Sequence, residues 1–386
     1  MNPPLKKLAH PDIYNWLSNN KSTLPNDQAT MLIHPDAAIE AVAKFRHELP
    51  NVEIYYAYKC FSDTEVVKSI DSHVDGYDVA SENECRDLVK LGINPSRLLF
   101  ANPVKIPSQI SYAHGVGVEG YTFQSKNELE KMAQLAPGST VLCRVKVPDG
   151  SNITGQAFSK KFGTDPAAVV DLIKYAKKLG LVPTGLSFHV GSQSSLPELW
   201  STAIELCSGL MNDCKEIGIP LFILDIGGGF PIEYETGDYR VFEKIASAIR
   251  KSLSTHISKD IRIMAEPGRF IAANTASIIA TVIGRETRES QDWLFLNTGV
   301  FQCLVEVLEF HRMLQKVVTL DRNDTQLQAF TLAGPTCDSD DTFEHGVMLP
   351  ENLVVGDRLV ITLAGAYSTA YGSDFNGILR PRKLYI

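Results

Sequence analysis

The sequence has no long hydrophobic run, no excess of basic residues and no paired cysteines. Without an apolar stretch near the roughly 20 residues of a membrane-spanning helix, we expect no membrane partner. With 37 Lys and Arg against 45 Asp and Glu, the net charge is −8, which argues against binding to nucleic acid. The seven scattered cysteines have no C-x-x-C spacing, which excludes a zinc ribbon or disulfide framework and favours no metal site. The N-terminus lacks the apolar core of a secretory signal, so we expect a cytoplasmic protein.

Three segments with different patterns divide the 386 residues. Residues 1–33 hold a short helix and an extended piece, Thr30–Ile33, which we expect to pack with a β domain. Between residues 34 and 274, apolar strand-like runs alternate with helical patterns such as Pro166–Leu179 and Pro197–Ile217, which is typical of a parallel α/β fold. Eight strands favour a (β/α)8 barrel over an open sheet. These candidates are Val52–Tyr58, Gly76–Val79, Arg97–Phe100, Gly120–Phe123, Val141–Val147, Gly185–His189, Phe222–Ile226 and Arg262–Glu266.

Residues 275–386 change to a β-rich pattern with few helical stretches. We therefore predict a second, mostly antiparallel β domain after the barrel. Its candidate strands are Thr275–Arg285, Trp293–Leu296, Ala329–Leu332, Arg358–Leu363 and Arg382–Tyr385.

A lysine ends the first barrel strand, in the stretch Val52–Cys60. Barrel folds place their catalytic groups at the carboxyl ends of the strands. A partly desolvated lysine has a lowered pKa and attacks carbonyl groups as the free amine. We therefore expect Lys59 to have a lowered pKa and to act as a nucleophile. The next helix is predicted to begin with Ser62 as its N-cap and Glu65 three residues on. The alternative is an ordinary surface lysine.

One glycine motif matches a dinucleotide-binding pattern but lacks the structural context of such a site. Residues 115–120 match G-x-G-x-x-G, but the dinucleotide fingerprint needs a strand before it and a helix after it. Here a helix-like run, Ile106–His114, comes first and a strand follows, so we predict no dinucleotide site.

Three motifs follow other strands of the predicted barrel. His189 presents an imidazole face that can stack on a flat ring. The stretch Gly227–Gly229 allows backbone N–H groups to approach a phosphate. Glu266 can hold a pyridine nitrogen protonated, and Gly268 with Arg269 can bind phosphate. The alternative for the last pair of charges is a structural ion pair between Glu266 and Arg269.

The second domain contributes a cysteine among acidic residues. Cys337 lies in Gly334–Asp341, where carboxylates disfavour a thiolate, so it suits a proton donor better than a resting nucleophile. Tyr367 offers a phenol for phosphate and Phe375 an aromatic wall, although either can be a core residue.

Taken in order, these motifs resemble the fold-type III pyridoxal-phosphate decarboxylases, the ornithine/diaminopimelate/arginine decarboxylase family, and most nearly its ornithine branch. The resemblance extends from about Tyr55 to the C-terminus. It implies an alanine racemase-like barrel plus β domain, pyridoxal 5'-phosphate as cofactor, and a homodimer with shared active sites.

The resemblance also implies individual roles. Lys59 is the lysine that binds the cofactor covalently, Glu266 pairs with the pyridine nitrogen and His189 stacks on the ring. Cys337 and Asp338 act across the dimer interface, the thiol as proton donor and the carboxylate as ligand of the distal amine. The residues that hold the phosphate are Ser192, Gly227, Gly228, Gly229, Gly268, Arg269 and Tyr367. Asp78 and Arg144 are further cofactor-binding residues, and Glu84 is a motif residue.

Two departures from the family pattern concern the substrate. The lysine stretch reads Tyr-Ala-Tyr-Lys59-Cys-Phe, where the ornithine branch has Tyr-Ala-Val-Lys-Ala-Asn, and Lys-Cys-Phe resembles the carboxynorspermidine branch. Phe310 stands where the family has an acidic residue for the substrate tail, with Glu309 adjacent. Glu309 or Asp340 is then a second acid besides Asp338, and Phe310 and Phe375 wall the pocket.

The expected activity is decarboxylation of a basic L-amino acid, first of all L-ornithine to putrescine in polyamine biosynthesis. Lysine, diaminopimelate, a carboxylated polyamine and a secondary-metabolite precursor remain open as substrates. An amino-acid racemase and a non-catalytic regulator of an active homologue are the other classes. The stretch around Cys337 argues against the racemase, and the presence of both Lys59 and Cys337 argues against the regulator.

Overall fold

Eight parallel strands close into a barrel in the middle of the chain. The computed structural model describes residues 3–149, 158–322 and 326–386. In chain order the strands are β1 (Thr30–Ile33), β2 (Val52–Ala57), β3 (Gly76–Val79), β4 (Leu98–Phe100), β5 (Gly120–Phe123), β6 (Thr140–Arg144), β7 (Val182–Ser187), β8 (Ile223–Asp225), β9 (Arg262–Ala265), β10 (Ala276–Arg288), β11 (Gln291–Leu296), β12 (Val317–Thr319), β13 (Leu327–Ala333), β14 (Thr342–Pro350), β15 (Arg358–Ile361) and β16 (Arg382–Tyr385). The barrel consists of β2 to β9 in sequence order, which confirms the predicted eight-stranded barrel.

Helices connect the barrel strands and cover the outside of the barrel. None in the described part of the chain is long and apolar enough to cross a membrane. The helices are Pro3–Leu8, Pro11–Asn20, Asp36–Glu48, Thr64–Ile70, Glu82–Lys90, Pro107–Val116, Lys126–Leu135, Phe158–Lys161, Pro166–Lys178, Pro197–Glu216, Arg240–His256, Arg269–Ala272, Val300–Cys303, Glu306–Phe310 and Ser368–Tyr371.

The helix after the first barrel strand has a different N-cap from the one predicted. The N-cap of helix Thr64–Ile70 is Asp63, whose carboxylate accepts the N–H groups of Glu65 and Val66 at 3.1 and 3.3 Å. The predicted cap, Ser62, is therefore wrong, because the carboxylate of Asp63, one residue later, accepts both free amides. Asp63 also accepts hydrogen bonds from side chains of β16, which ties this loop to the second domain.

The second sheet is mostly antiparallel, as predicted. Its central path is β12-β15-β10-β11-β13-β14, with β1 beside β10 and β16 beside β1. The parallel pairs are β1 with β16 and β11 with β13. Two of its strands, β12 and β14, were not predicted from the sequence.

The N-terminal helices pack on this second sheet rather than on the barrel. Leu5, Ile13 and Leu17 share a buried cluster with Val318 and Val360. The extended piece predicted at Thr30–Ile33 is strand β1. The division of the chain at residues 33 and 274 stays a prediction.

The glycine motif at residues 115–120 begins at the C-terminal end of a helix. Gly117 has φ of 101° and caps helix Pro107–Val116, after which β5 follows. A left-handed residue at this position requires glycine and accounts for part of the motif.

Candidate active site

The pairing of β2 with β3 brings Lys59 to a buried carboxylate. Ala57 lies opposite Asp78 in the strand register, and Lys59 follows on a tight turn, Tyr58–Cys60. Lys59 Nζ forms an ion pair with Asp78 Oδ2. The Asp78 side chain is 1% exposed and that of Lys59 is 44% exposed. The amine therefore lies at the open mouth of the barrel, above a fixed negative charge.

The pKa of Lys59 is raised, so the lowered pKa expected from the sequence is wrong. Burial acts to lower this pKa, but the nearby carboxylates of Asp78 and Glu266 raise it by more. The ammonium form thus predominates in the chain alone. To act as a nucleophile, Lys59 must first give up a proton that Asp78 helps to hold.

Two further carboxyl groups lie at the ends of β8 and β9. Asp225 Oδ1 accepts the N–H of Gly227 at 2.9 Å, and the N–H of Glu266 donates to the Gly227 carbonyl at 2.8 Å. Burial and the neighbouring Asp225 and Asp78 raise the pKa of Glu266 well above its ordinary value. Glu266 therefore tends to carry a proton, which a basic ring nitrogen placed beside it can accept.

His189 is neutral and fixed in orientation. Its Nδ1 accepts the N–H of Gly191 at 3.0 Å, so its ring proton belongs on Nε2. Burial, together with the positive charges of Arg144 and Lys59, lowers the pKa of His189 to about 3. A neutral imidazole in this position suits stacking on an aromatic ring.

Four glycines near the barrel mouth stand where no side chain would fit. A Cβ on Gly227, which has φ of 65°, would lie 2.0 Å from the carbonyl oxygen of Phe188. A Cβ on Gly229, with φ of 94°, would lie 2.1 Å from the carbonyl oxygen of Gly191. The corresponding distances are 2.6 Å for Gly228, to the Glu266 carbonyl oxygen, and 2.9 Å for Gly268, to Cys60 Cβ. Atoms of the chain itself therefore fill the space that a side chain would need, and only glycine fits at these four positions.

Arg269 links the predicted phosphate ligands, but its main partner is an acid. Its Nη2 donates to Ser192 Oγ at 3.3 Å, and its guanidinium lies 4.9 Å from the ring centroid of Tyr367. Both of its terminal nitrogens also contact the carboxylate of Glu306, at 2.9 Å for Nη1. The alternative reading, an ion pair with Glu266, is therefore wrong, since Glu306 takes that place.

Two other predicted residues support the barrel mouth. Arg144, at the end of β6, stacks 4.9 Å from the ring centroid of Phe162, and burial lowers its pKa. Glu84 accepts the N–H of Ala80 at 2.6 Å. It thus holds the loop after β3, the strand that carries Asp78.

The second-domain residues are exposed and separate from this cluster. Cys337 Sγ lies 3.3 Å from Asn376 Oδ1, and Asp338 Oδ1 accepts the N–H of Asp340 at 2.9 Å. Phe375 packs on Phe301, with 4.8 Å between ring centroids. Among the described residues, no hydrogen bond or ion pair joins Cys337 or Asp338 to Lys59.

Glu309, predicted as a substrate ligand, is half-buried on helix Glu306–Phe310. Burial and the neighbouring Glu306 raise its pKa, whereas Arg269 lowers it. Phe310 lies on the same helix, 5.9 Å from the Arg269 guanidinium.

Several residues of the site were not predicted from the sequence. Asp225 fell within the predicted strand Phe222–Ile226 without a role, and its position two residues before three glycines was the available signal. Tyr234 and Glu306 reach Arg269 from distant parts of the chain, and no local pattern marks them. Asp341, 2% exposed, accepts the N–H groups of Val300 and Thr336 and so fixes the loop of Cys337.

Comparisons with known proteins give a consistent result. A family model described as "Pyridoxal-dependent decarboxylase, pyridoxal binding domain" matches residues 36–273. The chain is 33% identical over 350 residues to decarboxylase flvG of Aspergillus flavus, covering 87% of this chain and 80% of that protein. It is 32% identical over 387 residues to ornithine decarboxylase of Caenorhabditis elegans, covering 96% and 90%. The crystal structure of an arginine decarboxylase of Paramecium bursaria Chlorella virus superposes with a TM-score of 0.91 at 27% identity, covering 96% of this chain and 100% of that chain.

Proposed function

The chain belongs to the pyridoxal-dependent decarboxylases, and from this premise we propose that it decarboxylates a basic L-amino acid, most readily L-ornithine. The observation that carries the proposal is the ion pair of Lys59 with Asp78 at the barrel mouth, within electrostatic reach of the carboxyl group of Glu266. As a decarboxylase of this family, the protein uses pyridoxal phosphate. The substrate and the roles of individual residues are the proposal.

The residues at the barrel mouth fit pyridoxal phosphate. Gly227, Gly228, Gly229 and Gly268 carry no side chains, so a phosphate could come close to their backbone N–H groups. The buried Arg269 Nε–H has no acceptor among the described residues and suits a phosphate oxygen. Glu266 tends to carry a proton where a pyridine nitrogen needs one. Lys59, Glu266, His189, Ser192 and Arg269 would then hold the cofactor.

The chain's own residues prepare the chemistry. When bound, the pyridoxal group supplies an electron sink for the bond to the departing carboxylate. Lys59 Nζ would provide the amine that anchors this group, once it has given up the proton that Asp78 helps to hold. Glu266 would keep a proton at the ring nitrogen. His189 would stack on one face of the ring.

Proton donation to the α-carbon falls to Cys337, which lies on the other domain. Since its thiol contacts Asn376 and not the Lys59 cluster, we propose that it serves the site of a second copy of the chain. The active enzyme would then be a homodimer in which each site combines one barrel with the partner's Cys337 loop.

The substrate side chain is proposed to be cationic. Asp338 is exposed next to Cys337 and would contact the distal amine, because a desolvated ammonium group needs a charged partner. Glu309 is the weaker candidate, since a carboxyl group with a raised pKa is a poorer ligand for a cation. Phe310 and Phe375 would line the aliphatic part of the substrate.

Other activities on this scaffold remain as alternatives. Lysine, diaminopimelate, a carboxylated polyamine and a secondary-metabolite precursor share the same reaction. A role in polyamine synthesis in the cytoplasm follows only if the substrate is ornithine or lysine. A racemase is less well supported because of the stretch around Cys337, and a non-catalytic regulator because Lys59 and Cys337 are both present.

The direct test is carbon dioxide release by the purified protein with pyridoxal phosphate. The panel would contain ornithine, lysine, arginine, diaminopimelate, a carboxylated polyamine, glutamate and norvaline. We expect the basic amino acids to be turned over fastest, with ornithine first. Faster release from glutamate or norvaline would refute the cationic-substrate proposal. No release from any compound, with cofactor bound, would favour a racemase or a regulator, which an assay of α-proton exchange separates.

A further inference from the structure

Arg269 is almost fully hydrogen-bonded within the chain. A guanidinium has five N–H donors. Two of them point to the carboxylate of Glu306, one from each terminal nitrogen. Nη1 also donates to the hydroxyl of Tyr234 at 2.9 Å, and Nη2 to Ser192 Oγ at 3.3 Å. The remaining donor, Nε–H, is buried and has no acceptor among the described residues.

The pair formed by Arg269 and Glu306 is buried and enclosed. The two residues are 4% and 8% exposed. The aromatic rings of Tyr367 and Phe310 lie 4.9 and 5.9 Å from the guanidinium carbon. Separating a buried, bidentate ion pair leaves a charge without compensation and is strongly destabilising. We therefore expect the pair to persist when a ligand binds.

The unused donor lies on the edge of the guanidinium that faces Ser192. In arginine, Nε–H and one hydrogen of Nη2 share one edge, and Nη2 is the nitrogen that contacts Ser192. Ser192 was predicted as a phosphate ligand. An anion that binds Ser192 is thus the natural acceptor for Nε–H, while Glu306 keeps the opposite edge of the guanidinium.

We propose that Glu306 is a positioning residue that fixes Arg269 and cancels its charge in the cofactor phosphate site. This inference rests on the proposed function. The phosphate is then held by Nε–H, the Ser192 hydroxyl and glycine backbone, with little net positive charge around it. A phosphate ester in water loses its second proton with a pKa of about 6. A site without net positive charge stabilises the dianion less than a free arginine would, so the phosphate contributes less to cofactor affinity.

The first test compares affinities of the empty protein for pyridoxal phosphate and for pyridoxal, which lacks the phosphate. The affinity for pyridoxal phosphate divided by the affinity for pyridoxal gives the contribution of the phosphate, and this measurement needs no turnover. In Glu306→Gln, Arg269 keeps its charge without a counterion, and we expect the ratio to rise by about tenfold or more. Glu306→Asp retains the charge and should stay near the wild-type ratio. Glu235→Gln removes an equal charge at an exposed position of the neighbouring loop and should not change the ratio.

The outcomes separate this inference from the proposed function. A ratio that is unchanged or lower in Glu306→Gln overturns the inference while the cofactor assignment stands. If the wild type binds neither compound, the proposed function fails and the inference falls with it. Should the variant not fold, phosphorus NMR of the wild-type complex replaces it. A phosphate signal that titrates between about pH 5.5 and 7.5 supports a site without net positive charge, and a dianion signal constant over that range overturns it.

Discussion

The ammonium group of Lys59 forms an ion pair with the buried carboxylate of Asp78. This contact fixes the lysine at the barrel mouth, and together with Glu266 it raises the pKa of Lys59 above its ordinary value. The same carboxylate that orients the amine therefore delays its deprotonation. The lysine becomes a nucleophile only as that proton leaves.

Replacing Asp78 by Asn should make cofactor attachment easier at lower pH. Burial lowers the pKa of Lys59, and without the Asp78 carboxylate less negative charge opposes that effect, so the pKa of Lys59 falls. We expect the midpoint of the pH profile for the attachment rate to shift down by about one unit or more. Stopped-flow absorbance of pyridoxal phosphate mixed with the empty protein measures this rate. The exposed Asp87→Asn variant is the control, and coincident profiles for Asp78→Asn and the wild type would refute the role.

Glu266→Gln should have opposite effects on activity and on the stability of the empty protein. Decarboxylation should slow by at least about tenfold, because glutamine cannot keep a proton at the ring nitrogen. The folded-state pKa of Glu266 lies above the unfolded value, so the folded chain holds this proton more tightly. The wild type thus loses stability as pH rises above the ordinary glutamate value, whereas glutamine has no proton to lose.

Thermal unfolding of the two empty proteins over a pH series checks the second part. The melting temperature of Glu266→Gln should rise relative to that of the wild type between about pH 5 and 8. A constant difference across this range would mean that Glu266 is already ionised in the fold. An unchanged decarboxylation rate would argue against its role at the ring.

If each active site is shared between two subunits, mixing two inactive variants should restore activity. Lys59→Ala and Cys337→Ala should each be inactive, but a mixed dimer would contain one site with both residues intact. Up to about a quarter of the wild-type activity is expected after subunit exchange, since half of the dimers are mixed and each has one of two sites. A mixture of Lys59→Ala with Glu266→Gln is the control, because both lesions lie in the barrel. No recovery with proven exchange would place Cys337 in the site of its own chain.

The carboxylate of Asp338 should control affinity for the distal amine. In Asp338→Asn we expect KM for ornithine to rise about tenfold, the value of one charge-assisted hydrogen bond. KM for norvaline, which has the same chain length without the amine, should change little. Equal changes for the two amino acids would mean that Asp338 shapes the loop and does not contact the substrate.

Much of the fold follows from local sequence pattern. The barrel strands are short apolar runs, and the helices between them begin at clear signals such as Pro166 and Pro197. The strand β14, Thr342–Pro350, was missed because its outward residues are polar and charged and it contains a glycine. The helix cap at Asp63 was missed because Ser62 is an equally good capping residue by type.

The site residues that follow strands could be predicted from the sequence. Those that depend on contacts between distant parts of the sequence could not. Lys59, His189 and Glu266 each stand at a strand end, a position that a sequence reveals. Glu306 contacts Arg269 over 37 positions of sequence, in a segment where an acid looks like a surface residue. The pKa of Lys59 likewise depends on the carboxylates of Asp78 and Glu266, which lie at the ends of two other strands, so the direction of its shift could not be predicted from the lysine stretch alone.

The most direct test of the central claim is the location of the cofactor. The purified protein would be incubated with pyridoxal phosphate, reduced with borohydride to fix the bond to the lysine, and digested for mass spectrometry. The account predicts one equivalent of reduced cofactor on the peptide that contains Lys59, and none on that peptide in Lys59→Ala. Attachment to a different lysine in the wild type, or no attachment at all, would contradict it.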